Sequence, residues 1–263
     1  APYGVVLITT KSGAANGKLT IEYSRNYSAI NPIRMPHHLD SYTTALAFNE
    51  AAENSVVNPS FSNATIDRIL AYQSDPGLPE TVPSSSNPAM WANGAESNAN
   101  YDWFNVYYGN GHRLQHNLAL SGGNKGVRFF LSGGIVSDRG VLQIGKDNYR
   151  RYNANAKFDA SLTKWMKLIF NTRYYNTTRN IPTLDNQGNY EGLFAQIART
   201  IPSQYLTSPN GVTSLQSKVA LIGDAGNDNT IINDIVQKFA TEINPLTGWT
   251  INADFTIQFT HNQ

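Results

Sequence analysis

Histidines are the side chains best suited to acid–base or metal chemistry at neutral pH, and the 5 in this chain are badly placed for both. His37 and His38 are adjacent, so they diverge in a strand and in a helix alike. His112, His116 and His261 are scattered, without the short spacings of metal ligands, and all five read as surface histidines. Glu50 and Glu53 stand at i, i+3 on a stretch of helical composition. Two carboxylates on one helix turn do not flank a scissile bond, so they read as a solvated face. Gly17-Lys18 invites comparison with a phosphate-binding loop, but Gly13 is too near and Leu19 stands where Ser or Thr is required. No G-x-S-x-G nucleophile motif occurs. Catalysis, a metal and a cofactor are therefore not expected. Tyr101, Trp103, Tyr107 and Tyr108 cluster at the end of a long loop, where they either stack on sugar rings or pack within the loop.

The functional potential lies instead in rows of polar side chains on long strands. Tyr152, Ala154, Ala156, Phe158, Ala160 and Leu162 share one face of a strand, and Arg151, Asn153, Asn155, Lys157, Asp159 and Ser161 share the other. After Thr163-Lys164 the pattern resumes, with Met166, Leu168, Phe170 and Tyr174 opposite Lys167, Asn171 and Arg173. The unit is a hairpin. Between Trp249 and Phe259 the alternation is equally regular, with Ile251, Ala253, Phe255 and Ile257 opposite Asn252, Asp254 and Thr256. Strands of soluble domains usually run about five or six residues, whereas a tilted strand needs about nine to eleven to cross a bilayer core. A half-exposed strand of a soluble sandwich shows the same alternation.

The chain has 263 residues and a net charge of +1, with 40% hydrophobic and 15% charged residues and mean hydropathy of −0.38. No apolar run is long enough for a transmembrane helix, which leaves a membrane barrel open because its apolar residues are interleaved with polar ones. Near-neutral charge gives no case for nucleic acid. The lack of cysteine excludes disulfides and thiolate metal sites. The chain opens at Ala1 without a signal peptide and reads as a processed chain or a piece of a longer one.

A continuous β-branched run, Tyr3 to Lys11, precedes a linker at 14–17. Strands are then expected at Lys18–Ala29, Gln115–Ser121, Val127–Val136, through the hairpin, and at Val236–Ile243 and Trp249–Phe259. Ile30 to Arg113 is a long connection with helices at Ser41–Asn54 and Ser62–Gln73. Asp75 to Asn100 within it carries no strand signal, and Thr177 to Thr230 reads as another long polar loop. Connections after Ser121, Leu162 and Ile243 are short; those after Ala29, Val136 and Tyr175 are longer. All tight turns thus fall at one end, as in an outer-membrane barrel with short periplasmic turns and long external loops. A sandwich mixes connections at both ends. Trp165 and Trp249 at short turns, with Tyr174 and Tyr175 at the other end, fit aromatic girdles. Seven strands leave a barrel open, since single-chain bacterial barrels close with an even number.

Ala1-Pro2-Tyr3-Gly4-Val5-Val6-Leu7-Ile8-Thr9-Thr10-Lys11-Ser12-Gly13 resembles the end of the plug in SusC/RagA-like TonB-dependent transporters of Bacteroidetes. The resemblance continues through Asn117 to Gly123, Phe130 to Gly134 and Ser161 to Lys167. It also takes in Arg34-Met35-Pro36 with Asn49-Glu50-Ala51-Ala52, and Glu242 to Pro245 with Gly248-Trp249. It implies an all-β fold, part of an antiparallel transmembrane β-barrel of roughly 22 strands. Residues 1–13 would end the plug domain, and 18–263 would form the N-terminal part of the barrel. The implied function is import of glycans or peptides across the bacterial outer membrane, energised by TonB through a region absent from this sequence. The implied partner is a SusD-like lipoprotein. On this reading Asn153, Asn155, Lys157, Asp159, Asn171, Arg173, Asn252 and Asp254 face the lumen. Ala154, Ala156, Phe158, Ala160, Ile251, Ala253, Phe255 and Ile257 face outer-membrane lipid. The long first loop lies outside the cell, with Trp91, Tyr101 and Trp103 as contacts to partner or ligand. The competing reading is a secreted soluble β-sandwich module that binds carbohydrate.

Overall fold

Period-two alternation along the chain resolves into one antiparallel sheet of seven strands, ordered as in the sequence. The computed structural model describes Lys11, Gly13 and residues 17–183, 190–224 and 226–263. The strand expected from Tyr3 and most of the linker at 14–17 lie outside the described residues. The strands are β1 (Thr20–Ile30), β2 (Gly111–Gly123), β3 (Val127–Arg139), β4 (Asn148–Ser161), β5 (Met166–Pro182), β6 (Asn227–Ile243) and β7 (Ile251–Asn262). Every neighbouring pair is antiparallel.

The register keeps the two faces separate across the whole sheet. One unbroken row of partners runs Phe129, Phe158, Phe170, Phe239, Phe255 from β3 to β7. The Phe170 and Phe239 rings lie 5.0 Å apart. The next row on that face runs Ile21, Leu120, Leu131, Ala156. This apolar face is uncovered among the described residues: Phe239 is 49% and Phe255 62% exposed. A soluble sandwich buries such a face beneath a second sheet, so that reading is set aside.

β5 and β6 are longer than the sequence pattern indicates, and the polar loop expected at Thr177–Thr230 is corrected accordingly. Each strand has 17 residues, and Met166 to Pro182 pairs with Ile243 to Asn227 without interruption. Beyond Tyr174 and Ile235 neither face is apolar, so the alternation fades while the backbone ladder continues. Between these strands lie two helices that the pattern misses, here α4 (Tyr190–Arg199) and α5 (Val219–Asp224).

The longer connections all leave the same end and fold together. In the first, α1 (Ser41–Asn54) is capped by Asp40, which accepts from Thr43 N–H at 2.9 Å; α2 (Asn63–Ser74) is capped by Ser62 through Thr65 N–H at 3.2 Å. Both helices match expectation. A third, short helix, α3 (Trp103–Tyr107), forms where the sequence pattern indicates the end of a long loop. Its Trp103, Phe104 and Tyr107 pack with Leu142 from the β3–β4 connection and with Leu193, Ile197 and Ile222 from α4 and α5, so three connections share one core. Glu80 ties them further: its carboxylate accepts from the Tyr101 hydroxyl and from Leu206 N–H (2.6 Å) and Thr207 N–H (3.1 Å). At the opposite end Gly13 lies against the β2–β3 hairpin, where a Cβ would come within 2.4 Å of the Gly122 and Phe129 carbonyl oxygens.

Candidate functional site

The face opposite the phenylalanine row carries the polar side chains. Its rows can be followed strand to strand: Ser24, Asn117, Gly134, Asn153, and from there Tyr175, Asp234, Thr260. A second row runs Phe130, Lys157, Asn171, Lys238, Thr256. The register brings Asn153, Asn155, Lys157, Asp159, Asn171, Arg173, Asn252 and Asp254 onto this one face, because each is separated from the next on its strand, or from its partner across the ladder, by an even step.

Three pairs of opposite charge bridge neighbouring strands on this face. Arg128 on β3 meets Asp159 on β4 at 3.2 Å, and Lys238 on β6 meets Asp254 on β7 at 3.1 Å. Arg113 grips Asp138 with two hydrogen bonds, 2.8 and 2.6 Å, a bidentate pair at the loop end. Asp159 is 4% and Asp234 2% exposed. Asp234 accepts from Gln258 Nε2 and from Thr260 Oγ1, each at 2.7 Å. One oxygen each of Asp159, Asn171 and Asp234 is buried without a hydrogen-bond partner. Asp234 and Arg128 were not singled out from the sequence. Their partners sit on other strands, and only the register reveals them.

The three aromatic residues expected to touch a partner or ligand have different fates. Trp103 is fully buried, its indole N–H donating to the Ile201 carbonyl at 2.9 Å; it is a core residue and cannot reach a ligand without unfolding the loops. Tyr101 is half-buried against Trp103, with ring centroids 5.1 Å apart. Burial, then the Glu80 carboxylate that its hydroxyl contacts, pushes the Tyr101 pKa up. Trp91 remains partly open. Its indole donates to Asn210 Oδ1 at 3.1 Å, and it lines a polar cleft of about 470 Å³ with Ser60, Ser84, Met90 and Asn93.

His37 and His38 do not diverge as adjacency suggests. The chain is irregular there, and both rings reach Asp102, with Nδ1 to carboxylate distances of 2.8 and 3.5 Å. Asp102 also caps α3, accepting from Phe104 N–H at 3.2 Å. Burial raises the Asp102 pKa, but the contacts from His37 and His38 outweigh it and hold the carboxyl below the ordinary range.

An uncovered apolar face, a paired polar face and helical loops confined to one end define an outer-membrane β-barrel segment. No protein-family model matches the chain. A TonB-dependent receptor, P26, of Formosa agariphila is 23% identical over 270 residues, covering 99% of this chain and 23% of the receptor. Solved structures described as the RagAB peptide importer or transporter superpose with TM-scores of 0.64 and 0.65 at 13% and 16% identity, covering 96% of this chain and 29% of theirs. Over nearly its whole length the chain is thus similar to a TonB-dependent receptor, and it shares the fold of the RagAB structures. It spans about a quarter of the length of these relatives.

Proposed function

We propose that this chain forms part of the wall of a TonB-dependent importer of oligosaccharides or peptides, with the polar face turned to the lumen and the helical loops outside the cell. The observation that carries the reading is the sorting of seven strands into one polar and one apolar face, with every tight turn at one end. The paired charges of both signs, with the amides of Asn153, Asn155 and Asn171 between them, offer donors and acceptors to a polar solute. The similarity to structures described as peptide importers supports the peptide branch of the reading. A SusD-like lipoprotein is the proposed partner at the loop end, and Trp91 a proposed contact there.

Deleting the complete transporter from its host and supplying oligosaccharides or peptides as the sole nutrient tests the function. Growth on one class is expected to fail and to return with the restored gene. Unchanged growth on both classes would overturn import. A complete chain that stays soluble without detergent would overturn the membrane orientation.

A further inference from the structure

Two hollows lie one above the other on the apolar face of β3 and β4. The lower, about 310 Å³, is floored by Gly133, Ala154 and Ala156 and walled by Leu118, Leu131 and Tyr174. Its depth follows from register, since Gly133 pairs with Ala154 and Leu131 with Ala156, placing small side chains beside rows of Leu and Phe. The upper hollow, about 390 Å³, opens at the loop end and is lined by His112, Ser137, Arg139, Lys146, Asn148 and Arg150. Ser137 pairs with Arg150 on the same face as Gly133 and Ala154, four positions further along each strand. At about 3.3 Å per residue the two centres are roughly 13 Å apart. Only Ile135 and Tyr152, both exposed, lie between them.

The upper hollow has a surplus of positive charge. Among the described residues Arg139, Lys146 and Arg150 make no ion pair within 4.0 Å. Two carboxylates line the hollow as well: Asp138 is paired with Arg113, and Asp147, which accepts from the Leu142 N–H at 3.3 Å, stands against the three cations. Arg25, on the same face, adds a further cation toward β1. A cationic hollow above an apolar groove has the polarity of an anionic amphiphile, and Arg matches phosphate oxygens with its planar fork.

We propose that these hollows seat a phosphorylated lipid of the outer leaflet, with its phosphate against Arg139, Lys146 and Arg150 and an acyl chain over Gly133 and Ala154. The proposal rests on the reading that the apolar face meets lipid. The complete transporter, purified in detergent, is to be mixed with a diphosphoryl glycolipid or with its dephosphorylated form and weighed by native mass spectrometry. The phosphorylated form is expected to be retained at least tenfold better. The triple variant Arg139→Gln, Lys146→Gln, Arg150→Gln should lose that preference, and Ala154→Leu should weaken retention of both forms. Millimolar inorganic phosphate should not displace the lipid. Equal retention by wild type and triple variant, both migrating as folded barrels, sinks the lipid site and leaves the membrane orientation intact. Displacement by inorganic phosphate, or a second transporter copy in place of lipid, sinks it as well. A transporter that needs no detergent removes the orientation and the site together.

Discussion

At the residue scale, adjacent positions on β4 should behave oppositely, because the pleat sends them to different solvents. Ala156 lies on the uncovered apolar face between Leu131 and Thr172, and Asn155 lies on the polar face between Ser132 and Arg173. Ala156→Arg is expected to destabilise the complete barrel by about 2–4 kcal/mol, whereas Asn155→Arg should be tolerated. Folding titrations into lipid vesicles measure both, and equal costs would contradict the assignment of faces. Asp102 makes a second test. Its carboxyl sits below its unfolded pKa, so its contribution is present above about pH 4 and disappears as pH falls through the lowered folded value. Asp102→Ala should loosen α3 by about 0.5–2 kcal/mol at pH 7. Hydrogen exchange at Phe104 to Tyr107 should show a clear difference from wild type at pH 7 and a smaller one near pH 3. Residue types alone point to neither His37 nor His38 as a neighbour of Asp102, because the contacts are long-range, that from His37 joining positions 65 apart in sequence.

At the element scale, what the sequence revealed and what it hid divide along a physical line. Strands and tight turns in the apolar band were legible because one solvent boundary imposes a period of two. The upper halves of β5 and β6 were not, since above the band both faces are polar and only backbone pairing holds the ladder. The helices α1 and α2 announced themselves through their helical composition, and α2 also through Ser62 at its start. α3 is too short to show a period, and its Trp103 could be assigned to the core only from packing. The eight polar positions were found to share a face because parity survives each antiparallel pairing, while the Arg128–Asp159 pair required the register itself. One element carries strain. α1 ends in a Schellman arrangement, with Val57 N–H donating to Ala52 O and Val56 N–H to Glu53 O, each at 3.0 Å. The left-handed position belongs to Val56, at φ 56°, where a β-branched residue is disfavoured. Its side chain is 94% exposed, so nothing is lost by removing it. Left-handed backbone costs about 1–2 kcal/mol for such a residue, and glycine gives back about 0.5–1 kcal/mol in the unfolded chain. Val56→Gly should therefore slow exchange at the end of α1 by a few-fold; faster exchange would mean that the valine is held there by contacts.

For the whole molecule, the decisive feature is that the loops form one body at one end of the sheet. Removing residues 76–95 would take away Glu80, and with it the hydrogen bonds to Leu206 and Thr207, so a lost partner after that deletion would not distinguish docking from collapse. Point changes on the surface separate the two. Met90 and Val212 are each 58% exposed. The bond from Trp91 to Asn210 brings their segments together beside the open cleft. Apolar side chains held at the surface around a half-open tryptophan are the composition of a docking centre. On the proposed orientation this patch faces out of the cell, where a lipoprotein would sit. The pair Met90→Glu with Val212→Glu should lower co-purification of that lipoprotein by about 2 kcal/mol, some thirtyfold in affinity, with barrel folding unchanged. Trp103→Phe, inside the loop core, should leave the complex intact. Full retention of the partner by the surface double variant would move the contact to another part of the rim. Loss of the partner in both variants would show that the complex depends on the integrity of the loop body and not on this patch.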